Sequence, residues 1–279
     1  MRVVVLGVRG SIPVSDAAML GVGGHTSCVA IAHDDGPPVL VLDAGSGLTR
    51  LGTLLDGAPF RGSILLGHLH WDHVIGLPFQ PSIDRTDAVV RMLVPRQDDG
   101  DPVTVMSRFM SPPAFPIAPS DLRGDWTFES YDDGKLHVEG FDVLAREIPH
   151  KGGRTMGLRI TDGTGSIAYL SDHAPQDLGP GVDGTGELHP AALELARDVD
   201  VLIHDAQYTA AELPARGAFG HAAAEYAVRL AEAARARRVL LFHHDPRRTD
   251  ADVASITAAV AVTTSVLVEA AIEGSTFDC

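Results

Sequence analysis

The sequence predicts an α/β protein in which two mixed β-sheets pack face to face between outer helices, a four-layer αββα sandwich. Short apolar runs separated by hairpin-like turns come first, and apolar runs that alternate with helical patterns follow. Hydrophobic residues make up 45% of the 279 positions, enough for a large core. We find no repeat, low-complexity tract or linker, so residues 1–279 are expected to form a single domain.

In the first part of the chain, strands are predicted where apolar runs are bounded by glycine, proline or aspartate. These strands are residues 3–6, 28–32, 39–42 and 63–66, with a short helix at 48–55. Farther on, residues 89–94 favour a strand and residues 103–110 a helix. Residues 111–119 contain four prolines in nine positions and cannot form regular structure.

The second part alternates strands and helices. Strands are predicted at residues 141–148, 155–160, 166–170 and 239–242, with a further apolar run at 200–205. Helices are predicted at 191–197 and at 222–237, the latter alanine-rich and therefore the strongest helix by propensity. A last helix at 252–262 has Asp250 as its expected cap.

One segment, Gly67 to His73, carries most of the chemical information. It follows an apolar run and places His68, His70, Asp72 and His73 in the spacing His-x-His-x-Asp-His. Imidazole nitrogen and carboxylate oxygen are ligands that Zn²⁺ and similar ions accept. On extended backbone His68 and His70 project to the same side, and Asp72 and His73 can face a second ion. The alternative is a solvated polar loop after a strand.

This motif resembles the signature of the metallo-β-lactamase-fold hydrolases. The resemblance is closest to the cyclic-nucleotide phosphodiesterase and ribonuclease Z-like branch, because of residues 8–13, 23–28, 204–208 and 242–246. In total, the resemblance spans about residues 3–246. The resemblance implies a sandwich of the metallo-β-lactamase type and a metal-dependent phosphoric diester hydrolase with two divalent ions. Zinc is the expected metal, with manganese or iron as alternatives, because His/Asp sites accept all three.

Three further candidate ligands, His150, Asp172 and His243, each follow an apolar strand, and strand ends converge on one edge of a sheet. Taken singly, each could instead be solvated or bonded to backbone. The resemblance implies one ion held by His68, His70 and His150, and a second held by Asp72, His73 and His243. It further implies that Asp172 bridges the ions, that a hydroxide lies between them, and that Asp72 also belongs to the catalytic residues.

Four other residues receive roles from the resemblance. It implies that His221 protonates the leaving alkoxide, that Asp205 orients His221 or a ligand imidazole, and that Asp43 braces the histidine loop. Here Ala222 replaces the hydroxyl residue that relatives carry after the histidine, and simple helix-entry or capping roles remain alternatives. Of the pair His243 and His244, either imidazole could reach a metal on sequence grounds. The resemblance, aligned at the strand end, implies that His243 is the ligand and leaves His244 to support a ligand or contact substrate.

The net charge of the chain and its lack of recognisable targeting features indicate which partners and which cellular location to expect. With 22 Lys+Arg against 37 Asp+Glu, the net charge of −15 repels nucleic-acid backbones, so long nucleic acids are disfavoured. Two cysteines are too few for a disulfide framework. The first residues lack signal-peptide features and no run is long enough to span a membrane, so a cytoplasmic protein is expected.

The predicted reaction is hydrolysis of a small phosphodiester, foremost a 3′,5′-cyclic nucleotide, by a metal-bridging hydroxide with His221 as general acid. Alternatives are another small cyclic phosphodiesterase and a ribonuclease Z-like tRNA 3′-processing nuclease. That nuclease class carries a long arm between the ligands matching His150 and Asp172, where only residues 151–171 lie here. A non-catalytic nucleotide sensor is the non-enzyme alternative. A homodimer is expected from the family.

Overall fold

Two seven-stranded mixed sheets form the centre of the computed structural model, which describes residues 1–98 and 100–279. The first sheet has the strand order β14-β1-β2-β3-β4-β5-β6. Its strands are β1 (Arg2–Gly7), β2 (Cys28–Ala32), β3 (Pro38–Leu42), β4 (Arg61–Leu65), β5 (Val89–Pro95), β6 (Asp125–Tyr131) and β14 (Thr276–Asp278).

The second sheet repeats this plan with the order β13-β12-β11-β10-β9-β8-β7. Its strands are β7 (Gly134–Val138), β8 (Phe141–Ile148), β9 (Thr155–Thr161), β10 (Ser166–Leu170), β11 (Val201–Asp205), β12 (Arg238–Phe242) and β13 (Leu267–Ala270). In both sheets three antiparallel pairings at one side give way to three parallel pairings at the other.

The helices cover the outer faces. They are α1 (Leu51–Leu54), α2 (Pro102–Ser107), α3 (Pro190–Ala196), α4 (Leu213–Arg216), α5 (Ala224–Ala234) and α6 (Asp250–Ala261). One apolar cluster fills the space between the sheets, a second packs the other face of the second sheet against α3, α5 and α6, and a third lies outside the first sheet. This arrangement confirms the predicted four-layer αββα sandwich. Among the described residues, no helix has both the length and the apolar character to cross a membrane.

The strand ends that matter for chemistry lie at one edge of the sandwich. In the first sheet β3 and β4 are parallel and finish in register, with Leu42 paired to Leu65. In the second sheet β10, β11 and β12 are parallel and finish together, with Asp205 paired to Phe242. Since carboxyl ends of parallel strands meet at one edge, the loops that follow them converge.

Local differences from the sequence-based prediction have simple causes. The sequence does not predict four of the strands. Of these, β6 and β7 are polar strands at sheet edges, and β13 and β14 have four residues or fewer. Helix α5 is shorter than 222–237, since Arg235 takes a left-handed φ of 56° and ends it. The predicted cap of the last helix is wrong: Asp250 is its first residue, and the Thr249 side chain accepts the capping bond from the Asp252 N–H.

Candidate metal centre

The histidine motif begins where β4 ends. The chain leaves the strand at Leu65, runs extended to His70, and closes into a 3₁₀ turn over Trp71–His73. Packing beneath this turn leaves His68, Asp72 and His73 each less than a tenth exposed. Burial of three polar side chains in one short loop is costly unless they are paired or coordinate a metal.

The structure brings all seven predicted ligands together in clusters in which one donor atom from each residue lies within 4.8 Å of the others. One cluster contains His68, His70, His150 and Asp172. A second contains Asp72, His73 and His243. A third joins Asp172 and His243 to His221, the predicted general acid.

Asp172 belongs to the first cluster and also faces the second. Its Oδ1 is 3.7 Å from His68 Nε2 and 3.6 Å from His150 Nε2. Its Oδ2 is 3.0 Å from His73 Nε2, and Oδ1 is 3.4 Å from His243 Nε2. One carboxylate thus faces both sets of histidines, which is the placement that a bridging ligand requires.

The donor atoms fit divalent metal ions. Nitrogen and oxygen ligands about 2.1 Å from one tetrahedral ion lie ~3.4 Å apart, close to the distances around Asp172. Within the described part of the chain, His68 Nε2, His73 Nε2 and Asp172 Oδ2 are buried without a hydrogen-bond partner. Buried polar atoms are rarely left unpaired, so their convergence is the arrangement that fits a divalent cation.

The protonation preferences of four candidate ligands agree with metal binding. Burial lowers the pKa of His68 well below its ordinary value, and it also lowers the pKa of His70 and His150. Burial alone would raise the pKa of Asp172, but His243, His73 and His68 hold it well below its usual range. Neutral imidazole and ionised carboxylate are the forms that ligate metals. His73 differs: burial lowers its pKa, but Asp172, Asp72 and Asp43 outweigh this and raise the pKa well above its ordinary value.

Three of the five candidate ligand imidazoles are held by partners on their outer nitrogens. His73 Nδ1 donates to Asp43 Oδ2 at 2.7 Å, and His150 Nδ1 donates to the Gly220 carbonyl at 2.7 Å. His243 Nδ1 donates to Gln207 Oε1 at 2.9 Å. These bonds leave each Nε2 free to face the cluster, the arrangement found around metal-bound histidines.

Asp43 is held as firmly as the histidine that it contacts. Its carboxylate accepts hydrogen bonds from the Gly67 N–H, the Tyr169 hydroxyl and the Ser171 hydroxyl. Because it contacts both the start of the histidine loop and His73, it occupies the bracing position that the sequence predicted.

His221 and Asp205 form a separate pair beside the clusters. His221 Nδ1 donates to Asp205 Oδ2 at 2.9 Å, and that carboxylate also accepts the N–H groups of His173 and Gln207. Burial lowers the pKa of His221, but Asp205 and the nearby Asp172 and Asp72 outweigh this and raise it to about 9. The imidazole therefore favours its protonated form at neutral pH.

Backbone geometry at His243 is constrained. Its φ of 58° is left-handed, a conformation that costs free energy in a non-glycine residue and is concentrated at functional sites. A Cβ at Gly10 would lie 2.4 Å from His243 Nδ1, so only glycine allows this approach. The strand-end prediction of His243 as the ligand of the pair agrees with this placement.

His244 does not face the clusters. Its buried Nε2 donates to the Ala271 carbonyl at 3.1 Å, and burial lowers the pKa of His244 to about 4. It lies next to the apolar face of α6 rather than the metal site. Among the described residues, the side chain of His244 makes no hydrogen bond to a candidate ligand, so the expected support of a ligand is not seen, because its Nε2 is bonded to the Ala271 carbonyl instead.

Three residues at the site were not found from the sequence. Gln207 contacts His243, the Ser11 N–H donates to Asp72 Oδ2 at 2.6 Å, and the Tyr169 hydroxyl contacts Asp43. Gln207 and Ser11 lie in segments that carry the family resemblance, and this was their only signal. Tyr169 is in a buried strand and gave none.

A cavity of about 400 Å³ opens over the clusters. Its lining contains four of the predicted site residues together with three neighbours: Ser11, Leu69, His70, Trp71, Asp72, Asp172 and His221. The fold and the site thus define a candidate metal centre beneath a pocket of small-molecule size.

Comparison with known proteins gives the family. Residues 40–244 match the model of the beta-lactamase superfamily domain. The ribonuclease Z of Thermoplasma acidophilum is 26% identical over 290 aligned residues, covering 91% of this chain and 89% of that protein. The metallo-beta-lactamase fold protein YhfI from Bacillus subtilis superposes with a TM-score of 0.74 at 18% identity over 99% of both chains. A diphosphatase from the PhnP family superposes with a TM-score of 0.67 at 16% identity, covering 100% of this chain and 97% of that one.

The chain belongs to the beta-lactamase superfamily. It is a metallo-β-lactamase-fold hydrolase of the ribonuclease Z-like branch, which confirms the family predicted from the histidine motif.

Proposed function

We propose that this chain, by its family and relatives a metal-dependent phosphoester hydrolase, cleaves a small phosphodiester, foremost a 3′,5′-cyclic nucleotide. The observation that carries the proposal is the placement of the His221–Asp205 pair beside two ligand clusters, one of which contains Asp172 while the other lies within 3.0–3.4 Å of it. A hydrolase that releases a sugar alkoxide needs both an electrophilic centre and a proton donor, and this site offers both.

Two divalent ions would be held by His68, His70 and His150 on one side, and by Asp72, His73 and His243 on the other, with Asp172 between them. When bound, such a pair supplies an activated water nucleophile and neutralises charge on the phosphate. We propose zinc as the metal, with manganese as the alternative, since the ligand set suits both.

The residues of the chain then position and move protons. Asp43 and Gln207 hold His73 and His243 by their Nδ1 atoms, so the ligand lone pairs keep one orientation. Asp205 binds the Nδ1–H of His221, so the proton available for transfer is on Nε2. In the reaction a water oxygen bonds to phosphorus and gives up one proton to solvent, and the bond from phosphorus to the sugar oxygen breaks. That oxygen takes the proton from His221, which is then reprotonated from solvent.

Three features favour a small substrate. The cavity over the clusters has a volume of about 400 Å³. The net charge of −15 opposes binding of a long polyanion. Residues 151–171, where ribonuclease Z-like nucleases carry an arm, are occupied by the β9–β10 hairpin and its flanking turns.

The relatives give a second candidate. Because the matched protein of Thermoplasma acidophilum is named ribonuclease Z and aligns over most of its length, tRNA 3′-processing is the alternative reaction. Both candidates use the same metal centre and the same proton donor, so they differ only in the substrate.

The test is a hydrolysis panel with zinc or manganese, with and without chelator. It contains 3′,5′- and 2′,3′-cyclic nucleotides, bis(p-nitrophenyl) phosphate and a precursor tRNA. Chelator-sensitive opening of 3′,5′-cyclic nucleotides is the expected result. Preference for the 2′,3′ compounds or for the tRNA would overturn the substrate assignment, and a metal-loaded protein that binds nucleotides but cleaves nothing would indicate a sensor.

A further inference from the structure

A second cavity, of about 300 Å³, adjoins the one over the metal clusters, and Trp71 lines both. We call it the apolar cavity. It is lined by residues from the end of the histidine loop and from the segment after α2: Trp71, Val74, Ile75, Pro78, Phe79, Arg108, Phe109, Met110, Ala114 and Phe115. Its volume is close to the lower limit for small-molecule pockets.

Trp71 forms the boundary between the two cavities. Its side chain is 70% exposed, although the next two residues, Asp72 and His73, are buried. The 3₁₀ turn that directs both of those side chains toward the clusters leaves the indole accessible. An aromatic ring is therefore fixed one residue from a metal ligand, on the same loop.

The apolar cavity continues from Trp71 along other exposed aromatic and aliphatic groups. Phe79 is 57% exposed and meets the Phe115 ring edge-on at a centroid distance of 5.8 Å, and Ile75 is 43% exposed. Large apolar side chains grouped on a surface mark binding sites more often than single ones do. Among the lining residues Arg108 is the only charged one, whereas the metal cavity contains carboxylates.

We propose that the apolar cavity is a nucleobase subsite, in which the base of the substrate stacks on Trp71 while its phosphodiester lies at the metal clusters. The proposal rests on the proposed function and names the substrate class more closely, as a phosphodiester that carries a planar uncharged ring. A base is flat and uncharged, and stacking on aromatic side chains is its usual mode of binding. Because Trp71 lines both cavities, the proposal places one small molecule across this residue, with its base on one side and its phosphodiester on the other.

The first test compares two substrates that differ only by the base: 3′,5′-cyclic AMP and the 3′,5′-cyclic phosphate of methyl riboside. In Trp71→Ala and Phe79→Ala the ratio of kcat/KM for the first over the second should fall. The expected fall for Trp71→Ala is roughly five- to a hundredfold, the range measured for base–aromatic stacking. An equal loss on both substrates would overturn the proposal.

Trp126 provides the matched control. It is the other tryptophan of the chain, lies on the edge strand β6 against Phe128, and lines neither cavity. Trp126→Ala should leave the substrate ratio unchanged. If Trp126→Ala changed the ratio as much as Trp71→Ala, both losses would come from general destabilisation of the protein, and the base subsite would be overturned.

The second test does not depend on turnover. In Trp126→Phe, Trp71 is the only tryptophan, so the fluorescence reports on the boundary between the two cavities, and comparing ligands with and without a base isolates the response to the base. Adenosine 5′-monophosphate should quench it, and ribose 5-phosphate should not. Equal response to both compounds, or to neither, would overturn the base subsite. Quenching by the nucleotide in a protein that hydrolyses no cyclic nucleotide would retain the subsite and reject the proposed reaction.

A second copy of this chain is the competing occupant. Molar mass should therefore be measured by light scattering for the parent chain, Trp71→Ala and Phe79→Ala. An unchanged mass together with a reduced substrate ratio supports the subsite. Dissociation of a dimer with an unchanged ratio would assign the cavity to a subunit interface instead.

Discussion

At the scale of single residues, Asp172 holds the most connected position in the site. Its carboxylate lies within 3.0–3.7 Å of imidazole nitrogens from His68, His73, His150 and His243. Two of these histidines, His68 and His150, belong to the first cluster, and the other two, His73 and His243, belong to the second. Loss of this carboxylate should therefore affect both metal positions, whereas loss of one histidine removes a ligand from one.

The prediction for Asp172→Ala is loss of turnover together with a fall in bound metal from about two ions per chain. His70→Ala should also abolish turnover, with metal loss at one position only. Metal content by mass spectrometry and steady-state rates check both. Asp142→Ala, whose side chain is 82% exposed on β8, is the control. Full activity in Asp172→Ala would exclude a dinuclear mechanism.

The prediction for His221→Ala separates proton donation from metal binding. Removal of the imidazole should leave the metal content unchanged and reduce kcat by roughly 10²- to 10⁴-fold, the range for general acid–base catalysis. His137→Ala, at an exposed position of β7, is the control and should retain full activity. Because His221 Nδ1 is also 3.7 Å from Asp172, a loss of metal in His221→Ala would make it a ligand instead.

The sequence offers these candidate ligands because each lies at or just beyond the end of an apolar strand. His243 directly follows β12, Asp172 is two residues beyond the end of β10, and the four residues of the histidine motif share one loop. The partners that fix these ligands lack such a signal. Gln207, Ser11 and Tyr169 are polar residues of ordinary type, and only the folding of distant segments brings them to the site.

At the scale of elements, the sequence predicts those strands that are buried on both faces, because nearly all of their residues are apolar. Every residue of β2, β10 and β11 is buried, and the apolar run of each strand is easily recognised in the sequence. β6 alternates exposed and half-buried residues at a sheet edge, and β14 has three residues. Such strands form because a neighbouring strand offers hydrogen bonds, a tertiary effect that local sequence does not contain.

Helix α6 offers a prediction about its first turn. The Thr249 hydroxyl accepts the Asp252 N–H and donates to the Asp252 carboxylate, while Asp252 also accepts the Thr249 N–H. Thr249→Ala removes this cap and should lower the free energy of unfolding by about 1 kcal/mol. Chemical denaturation measures the change.

A control for that substitution lies in the same helix. Thr257 donates its hydroxyl to the Val253 carbonyl in the middle of α6, where alanine is the better helix former. Thr257→Ala should therefore be neutral or slightly stabilising. Equal destabilisation by both substitutions would mean that side-chain packing, and not the cap, determines the effect.

At the scale of the whole molecule, the candidate metal centre joins the two sheets. The loop after β4 in the first sheet supplies four ligands: His68, His70, Asp72 and His73. The ends of β8, β10 and β12 in the second sheet supply three: His150, Asp172 and His243. Each proposed ion takes ligands from both sheets, so bound metal would link the two halves of the sandwich.

This link predicts that metal removal lowers thermal stability. Binding to the folded state alone adds about 2.7 kcal/mol when free metal is a hundredfold above Kd, so chelation should lower the Tm by roughly 5–10 °C. Scanning calorimetry with zinc, with manganese and with chelator measures the shift. In Asp172→Ala the shift should shrink, since both ions lose their shared ligand. A chelator effect of the same size in Asp172→Ala and in the parent chain would place the stabilising metal elsewhere, because only ions at the shared site depend on this carboxylate.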